Sequence, residues 1–136
     1  MSDQLTFFSP EWCEAAKEVA NKNEKMYRGF KDASTFTHKM AFTCNDPDLV
    51  THMEWKEGVC LYWGPPQFAD DELWLVIKAD LDTWRTAAEG KSEGGQLLMA
   101  GKVVFAKGPV SAAIENAGAF NNFLRSWGDV PTNWDV

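Results

Sequence analysis

The sequence predicts an α+β fold, a five-stranded and mostly antiparallel sheet with helices covering one face. Two observations carry this. Apolar residues recur at three- and four-residue steps near both ends of the chain, but at every second residue through its middle. Short clusters of Asn, Asp, Gly and Pro separate the alternating runs, so that neighbouring strands can return antiparallel.

The first element is a helix. Ser9 suits an N-cap, Pro10 the first helical position, and Glu11 the positive helix end. Trp12, Ala15, Ala16, Val19, Met26, Tyr27 and Phe30 then form an apolar stripe, which predicts one amphipathic helix over about residues 10–28. The period then becomes two over residues 33–43. Phe36, His38, Met40 and Phe42 fall on one face and Thr35, Thr37, Lys39 and Thr43 on the other. Asn45-Asp46-Pro47-Asp48 reads as a turn, and residues 50–56 return with Met53 and Trp55 inward. Gly58 permits a second turn, and residues 59–63 form a strand that Gly64-Pro65-Pro66 stops.

The clearest strand spans residues 72–79, with Leu73, Leu75 and Ile77 opposite Glu72, Trp74, Val76 and Lys78. Asp80 or Asp82 can cap the next helix, which carries Leu81, Trp84, Ala87 and Ala88 and ends at Gly90. A short helical piece holds Gln96, Leu97, Leu98, Met99 and Ala100. Residues 102–107 give a last strand with Val103 and Phe105 inward. Gly108-Pro109 opens a final helix bearing Val110, Ala113, Ile114, Ala117, Leu124 and Trp127, with a kink expected at Gly118 and a polar tail after Pro131.

A chain of 136 residues suits one domain, residues 1–136, with a real core. Residues 46–93 carry eleven acids against four bases, and the remainder is balanced at nine of each. Without a basic stripe to neutralise phosphates, no nucleic-acid partner is expected. No apolar run reaches the length needed to span a bilayer, so no membrane insertion is expected. Three cysteines, Cys13, Cys44 and Cys60, are an odd number without CxxC spacing and with no signal peptide ahead of them. They suggest buried free thiols in a reducing, cytoplasmic setting.

Catalytic patterns are sparse. His38 and His52 fall on opposite faces of neighbouring strands, which disfavours a zinc site, and His38 reads as a partnered interior histidine. The carboxylates of Asp46-Pro47-Asp48 and Asp70-Asp71-Glu72 lack the spacing of a calcium loop, and no phosphate loop is present. No cofactor, metal or catalytic residue is assigned. What stands out is aromatic: seven Trp and nine Phe exceed what a core of this size needs, so part of this surface is available to a ligand.

The segment from Asp71 onward carries a recognisable pattern. Strand 72–80 leads through Trp84-Arg85 to Gly90-Lys91, and eleven residues later Gly101-Lys102 opens the strand Val103-Val104-Phe105-Ala106-Lys107, closed by Gly108. This resembles the C-terminal half of sterol carrier protein type two domains. Gly94 stands where that family has proline, and Leu98-Met99 where it has an aromatic pair. The resemblance implies a five-stranded sheet, helices on one face, and an apolar tunnel between them for fatty-acyl chains, acyl-CoA or sterols.

The expected function is therefore non-catalytic binding and transfer of an apolar small molecule. The expected cavity wall comprises Phe36, Met40, Trp55, Trp63, Leu75, Ile77, Trp84, Leu97, Leu98, Met99, Phe105, Phe120, Phe123, Leu124 and Trp127, with Gln96 or His38 contacting a head group. Two other readings use different residues. An accessory protein, dimeric or docked on a lipid-metabolising enzyme, would use exposed Trp12, Trp74 or Trp134 as anchors. A small open-cone enzyme would use His38 or Asp80 as its acid or base.

Overall fold

The computed structural model describes residues 4–45 and 48–136, so Asp46 and Pro47 of the expected turn lie outside the described residues. The elements are β1 (Leu5–Thr6), α1 (Pro10–Asn21), α2 (Glu24–Arg28), β2 (His38–Asn45), β3 (Leu49–Lys56), β4 (Val59–Gly64), β5 (Leu75–Asp80), α3 (Leu81–Ala88), α4 (Gly94–Met99), β6 (Val104–Lys107), α5 (Ser111–Glu115), α6 (Ala117–Ser126) and β7 (Thr132–Asn133). Five strands form one sheet in the order β4-β3-β2-β5-β6, antiparallel throughout except between β2 and β5. This is the α+β architecture that the sequence predicts.

Both long helices divide where an asparagine competes for backbone hydrogen bonds. The expected helix over residues 10–28 starts as anticipated, with Ser9 Oγ accepting from Trp12 N–H at 3.2 Å. It stops after Asn21, because Asn23 is extended and its Oδ1 caps α2 by accepting from Met26 N–H at 3.0 Å. The last helix breaks at Asn116, between α5 and α6, and not at Gly118. Asn116 Nδ2 donates to Ala112 O, and its Oδ1 accepts from Lys31 N–H, each at 2.9 Å. Gly118 has a packing role instead. It faces Gly29, where an added Cβ would lie 2.2 Å from the backbone nitrogen of Ala119. Val110 and Ile114 are exposed, so α5 turns only Ala112 and Ala113 inward and the larger apolar side chains come from α6.

Strand β2 begins at His38, since Asp32 caps a 3-10 turn at Ala33–Thr35. Strand β5 begins at Leu75, after a 3-10 turn at Asp70–Glu72. Asp80 Oδ1 accepts from Thr83 N–H at 2.8 Å and caps α3, as expected. These bonds hold its carboxyl below the usual carboxylate range. In β4 the simple alternation fails. A register shift at Glu54/Trp55 places Cys60 opposite Trp55 and Tyr62 opposite Glu54, so Leu61 is the extra residue of a bulge. Cys60 and Trp63 therefore both turn inward, while Val59 and Leu61 are exposed. The tail is not free. Thr132–Asn133 pairs in parallel with Leu5–Thr6, and Trp134 packs on Phe7 with ring centroids 4.5 Å apart.

The inner face of the sheet carries Met40, Phe42, Trp55, Leu75 and Ile77 and faces the helices. Its outer face is covered at His52 by the loop after β4. There His52 Nδ1 accepts from the backbone N–H groups of Gln67 and Phe68, both at 3.1 Å. Among the described residues, no helix is long and apolar enough to cross a membrane.

Candidate ligand cavity

Parallel register brings Met40 beside Leu75 and Phe42 beside Ile77, and Ile77 pairs with Phe105 across the next strand. The period of two aims Met40, Phe42, Leu75 and Ile77 at the helices. Opposite them, Ala112 and Ala113 of α5 and Ala119 of α6 present methyl groups where larger side chains would fill the space. The result is a cavity of about 60 Å3, closed at its sides by Met26, Phe30, Phe36, Trp55, Phe120 and Phe123. Its one polar lining residue is Asn116, at the break between α5 and α6.

Of the expected wall, Phe36, Met40, Trp55, Leu75, Ile77, Phe105, Phe120 and Phe123 line this cavity. Trp63, Trp84, Leu124 and Trp127 do not. They are fully packed in an adjoining core where Trp127 meets the rings of Phe7, Phe8, Trp12, Trp63 and Trp84 at 5.3–5.9 Å. Six of the seven tryptophans therefore lie outside this cavity wall, whereas six of the nine phenylalanines line it. Leu97 is buried and Leu98 half-buried, both away from the cavity, and Met99 is 91% exposed on the outer side of α4. A six-residue helix cannot turn all of its apolar side chains inward. Gln96, expected to contact a head group, does not line this cavity either, and its Oε1 accepts from Glu93 N–H in a capping box.

Sequence reasoning missed Met26, Phe30, Phe42, Ala112, Ala113, Asn116 and Ala119 as wall residues. Phe42 and Ala113 carry an inward signal in the sequence, which does not by itself distinguish cavity wall from core. The alanines had no signal as cavity formers, since a small side chain opens a space only in relation to what faces it.

A second hollow of about 360 Å3 lies at the mouth, with Lys31, Asp32, Thr35, His38, Trp74, Ser111 and Glu115 around it. It shares Phe36, Ala112 and Asn116 with the apolar cavity. His38 stands in this vestibule with its ring stacked on Trp74, centroids 3.6 Å apart. Burial lowers its pKa. The buried, hydrogen-bonded histidine is thus His52, not His38.

The anchors of a docking protein fare unevenly. Trp12 is fully buried and its Nε1 donates to Thr132 Oγ1 at 2.8 Å, while Trp74 and Trp134 are half-buried. Asp80 serves as a helix cap with a lowered pKa, which runs against a general base near neutrality. All three cysteines are buried thiols. Burial pushes the Cys60 thiol up to about 12 and raises Cys13 as well, so neither is a ready nucleophile.

No protein-family model matches the chain, and no curated protein matches it by sequence. Solved structures do. Sterol carrier protein 2 superposes with a TM-score of 0.76 at 25% identity, covering 91% of this chain and 98% of that one. A conserved hypothetical protein of Thermus thermophilus, described as possibly a sterol carrier protein, gives 0.74 at 24% identity over 98% and 97%. Sterol carrier protein 2 from Yarrowia lipolytica gives 0.50 at 20% identity over 90% and 100%.

Proposed function

We propose that this chain, which has the fold of sterol carrier protein 2, is a non-catalytic binder and carrier of a lipid chain. The observation that supports this most directly is the cavity itself, walled by fourteen apolar side chains and Asn116 between the inner sheet face and α5–α6. Such a surface gains free energy by removing apolar ligand area from water, roughly 25 cal/mol per Å2 before the entropy of association is subtracted. The vestibule supplies charged and polar groups for the polar end of the ligand, among them His38, Lys31 and Ser111, beyond the threshold formed by Phe36 and Asn116.

At about 60 Å3 the cavity is smaller than the roughly 150 Å3 space that takes a benzene ring. A lipid chain therefore enters by displacing the wall. The small residues of α5 and the break at Asn116 make that wall the movable side, whereas the facing strands are tied into the sheet.

Binding is tested by titrating fatty acids, acyl-CoA and sterols while following intrinsic Trp fluorescence. Trp55 lines the cavity and reports its occupation. A saturable change with at least one class is expected. Replacement of Phe123 by Ala removes part of the wall and weakens binding, and Ala113→Phe blocks the space. Silence with every class, or wild-type affinity in a folded Ala113→Phe protein, refutes the assignment.

A further inference from the structure

Five tryptophans are buried, and their indole N–H groups divide into two sets. Trp12 Nε1 donates to Thr132 Oγ1, Trp63 Nε1 to Thr51 Oγ1 and Trp84 Nε1 to Thr43 O, at 2.8–2.9 Å. Trp55 and Trp127 have buried Nε1 atoms with no acceptor among the described residues. A buried donor without an acceptor loses its hydration and gains nothing in return, so it calls for an explanation.

The two orphans sit in different places. Trp127 is enclosed by aromatic rings, whose faces are weak acceptors. Trp55 is only 3% exposed but lines the ligand cavity. It is also at the vestibule end: it is register partner to His38, and its ring meets Phe36, which borders both hollows, at 5.6 Å. Asn116, the polar residue of that wall, already engages its Nδ2 and Oδ1 with Ala112 O and Lys31 N–H, so the unpartnered Trp55 donor is left to distinguish ligands by whether they bring an oxygen to it.

We infer that Trp55 Nε1–H is the polar recognition group of the cavity and that the ligand is an oxygenated chain, its hydroxyl or carbonyl oxygen near the mouth, in preference to a bare hydrocarbon. This rests on the lipid-binding reading and adds the ligand's chemistry to it. The recognition requires no charge on the ligand.

The test compares hexadecane, hexadecan-1-ol and methyl hexadecanoate by 15N NMR of the seven indole groups. The Trp55→Phe variant loses one resonance, which assigns it, and the six others report whether the variant is folded. In the wild type, the Trp55 indole proton is expected to move downfield with the alcohol or the ester and not with hexadecane, while that of Trp127 stays in place. Trp55→Phe is expected to lower the preference for the oxygenated ligand over hexadecane about fivefold to tenfold. If the variant does not fold, the wild-type resonance, assigned through its own backbone, decides alone. A Trp55 resonance unmoved by a bound alcohol and ester, or an unchanged preference in the folded variant, overturns the inference and leaves lipid binding intact. Failure of all three chains to bind overturns the inference, and the titration with fatty acids, acyl-CoA and sterols then decides the lipid-binding reading separately.

Discussion

At the scale of single residues, His52 shows how one side chain can hold a loop. Its Nδ1 accepts from two successive backbone N–H groups, so the ring must be neutral with its proton on Nε2. Phe68 lies parallel to it, with planes 4° apart. Burial lowers the His52 pKa, and Asp70 opposes that shift more weakly. With the folded value below the unfolded one, the unfolded chain binds more protons in acid. The stabilisation is therefore complete above the unfolded value of about 6.5 and is lost as pH falls through the folded value. Replacing His52 with Ala leaves two N–H groups without their acceptor and is expected to cost about 1–3 kcal/mol in chemical denaturation at pH 8. The variant should also lose part of the wild type's decline in stability between pH 7 and 5. A wild-type slope retained in His52→Ala assigns the pH dependence to another group.

At the scale of elements, the contact between the end of α2 and the start of α6 is made through glycine on both sides. Gly29 has an ordinary helical φ of −78°, so its backbone conformation does not demand glycine. The close approach does. An added Cβ would lie 2.2 Å from Ala119 N and 2.3 Å from Gly118 C, whereas at Gly118 it would lie 2.9 Å from Gly29 Cα. Gly29→Ala is thus expected to destabilise by about 3 kcal/mol, the upper end of overpacking, and Gly118→Ala by less. Equal thermal denaturation midpoints for the two variants would contradict this order. The same contact revises the sequence-based expectation for Gly118, since its replacement disturbs the packing of α6 on α2 and not a hinge within one helix.

At the scale of the whole molecule, the sheet and the helical wall should differ in local stability. Strands β2 and β5 lie inside the sheet with hydrogen-bonded neighbours on both sides, while α5 has five residues and no side-chain cap. Hydrogen exchange is expected to be faster in α5 than in β2, and bound lipid should slow it there most. Because ligand binds the folded state, free lipid at a hundredfold excess over its Kd should add about 2.7 kcal/mol to stability. A thermal midpoint that does not rise with ligand concentration would remove the link between the cavity and binding.

The sequence alone determined the class of the fold, most strands and several caps, because these follow from local periodicity and short-range hydrogen bonds. Ser9 and Asp80 cap as their positions suggest, and Met40, Leu75 and Ile77 face inward as alternation requires. The pattern around Gly90 and Gly101 also pointed to the fold that the solved structures share. Periodicity marks a side chain as inward-facing without saying whether it meets another side chain or a cavity. Trp84, Leu124 and Trp127 were therefore expected in the wall and lie in the adjoining core, whereas Ala113, expected only on the last helix, opens the space together with Ala112 and Ala119. Only tertiary structure decided those roles, the bulge that turns Cys60 and Trp63 inward, and the pairing of the chain ends. Each depends on which distant residue arrives opposite, and that is set by packing between elements rather than by the order of residues within one.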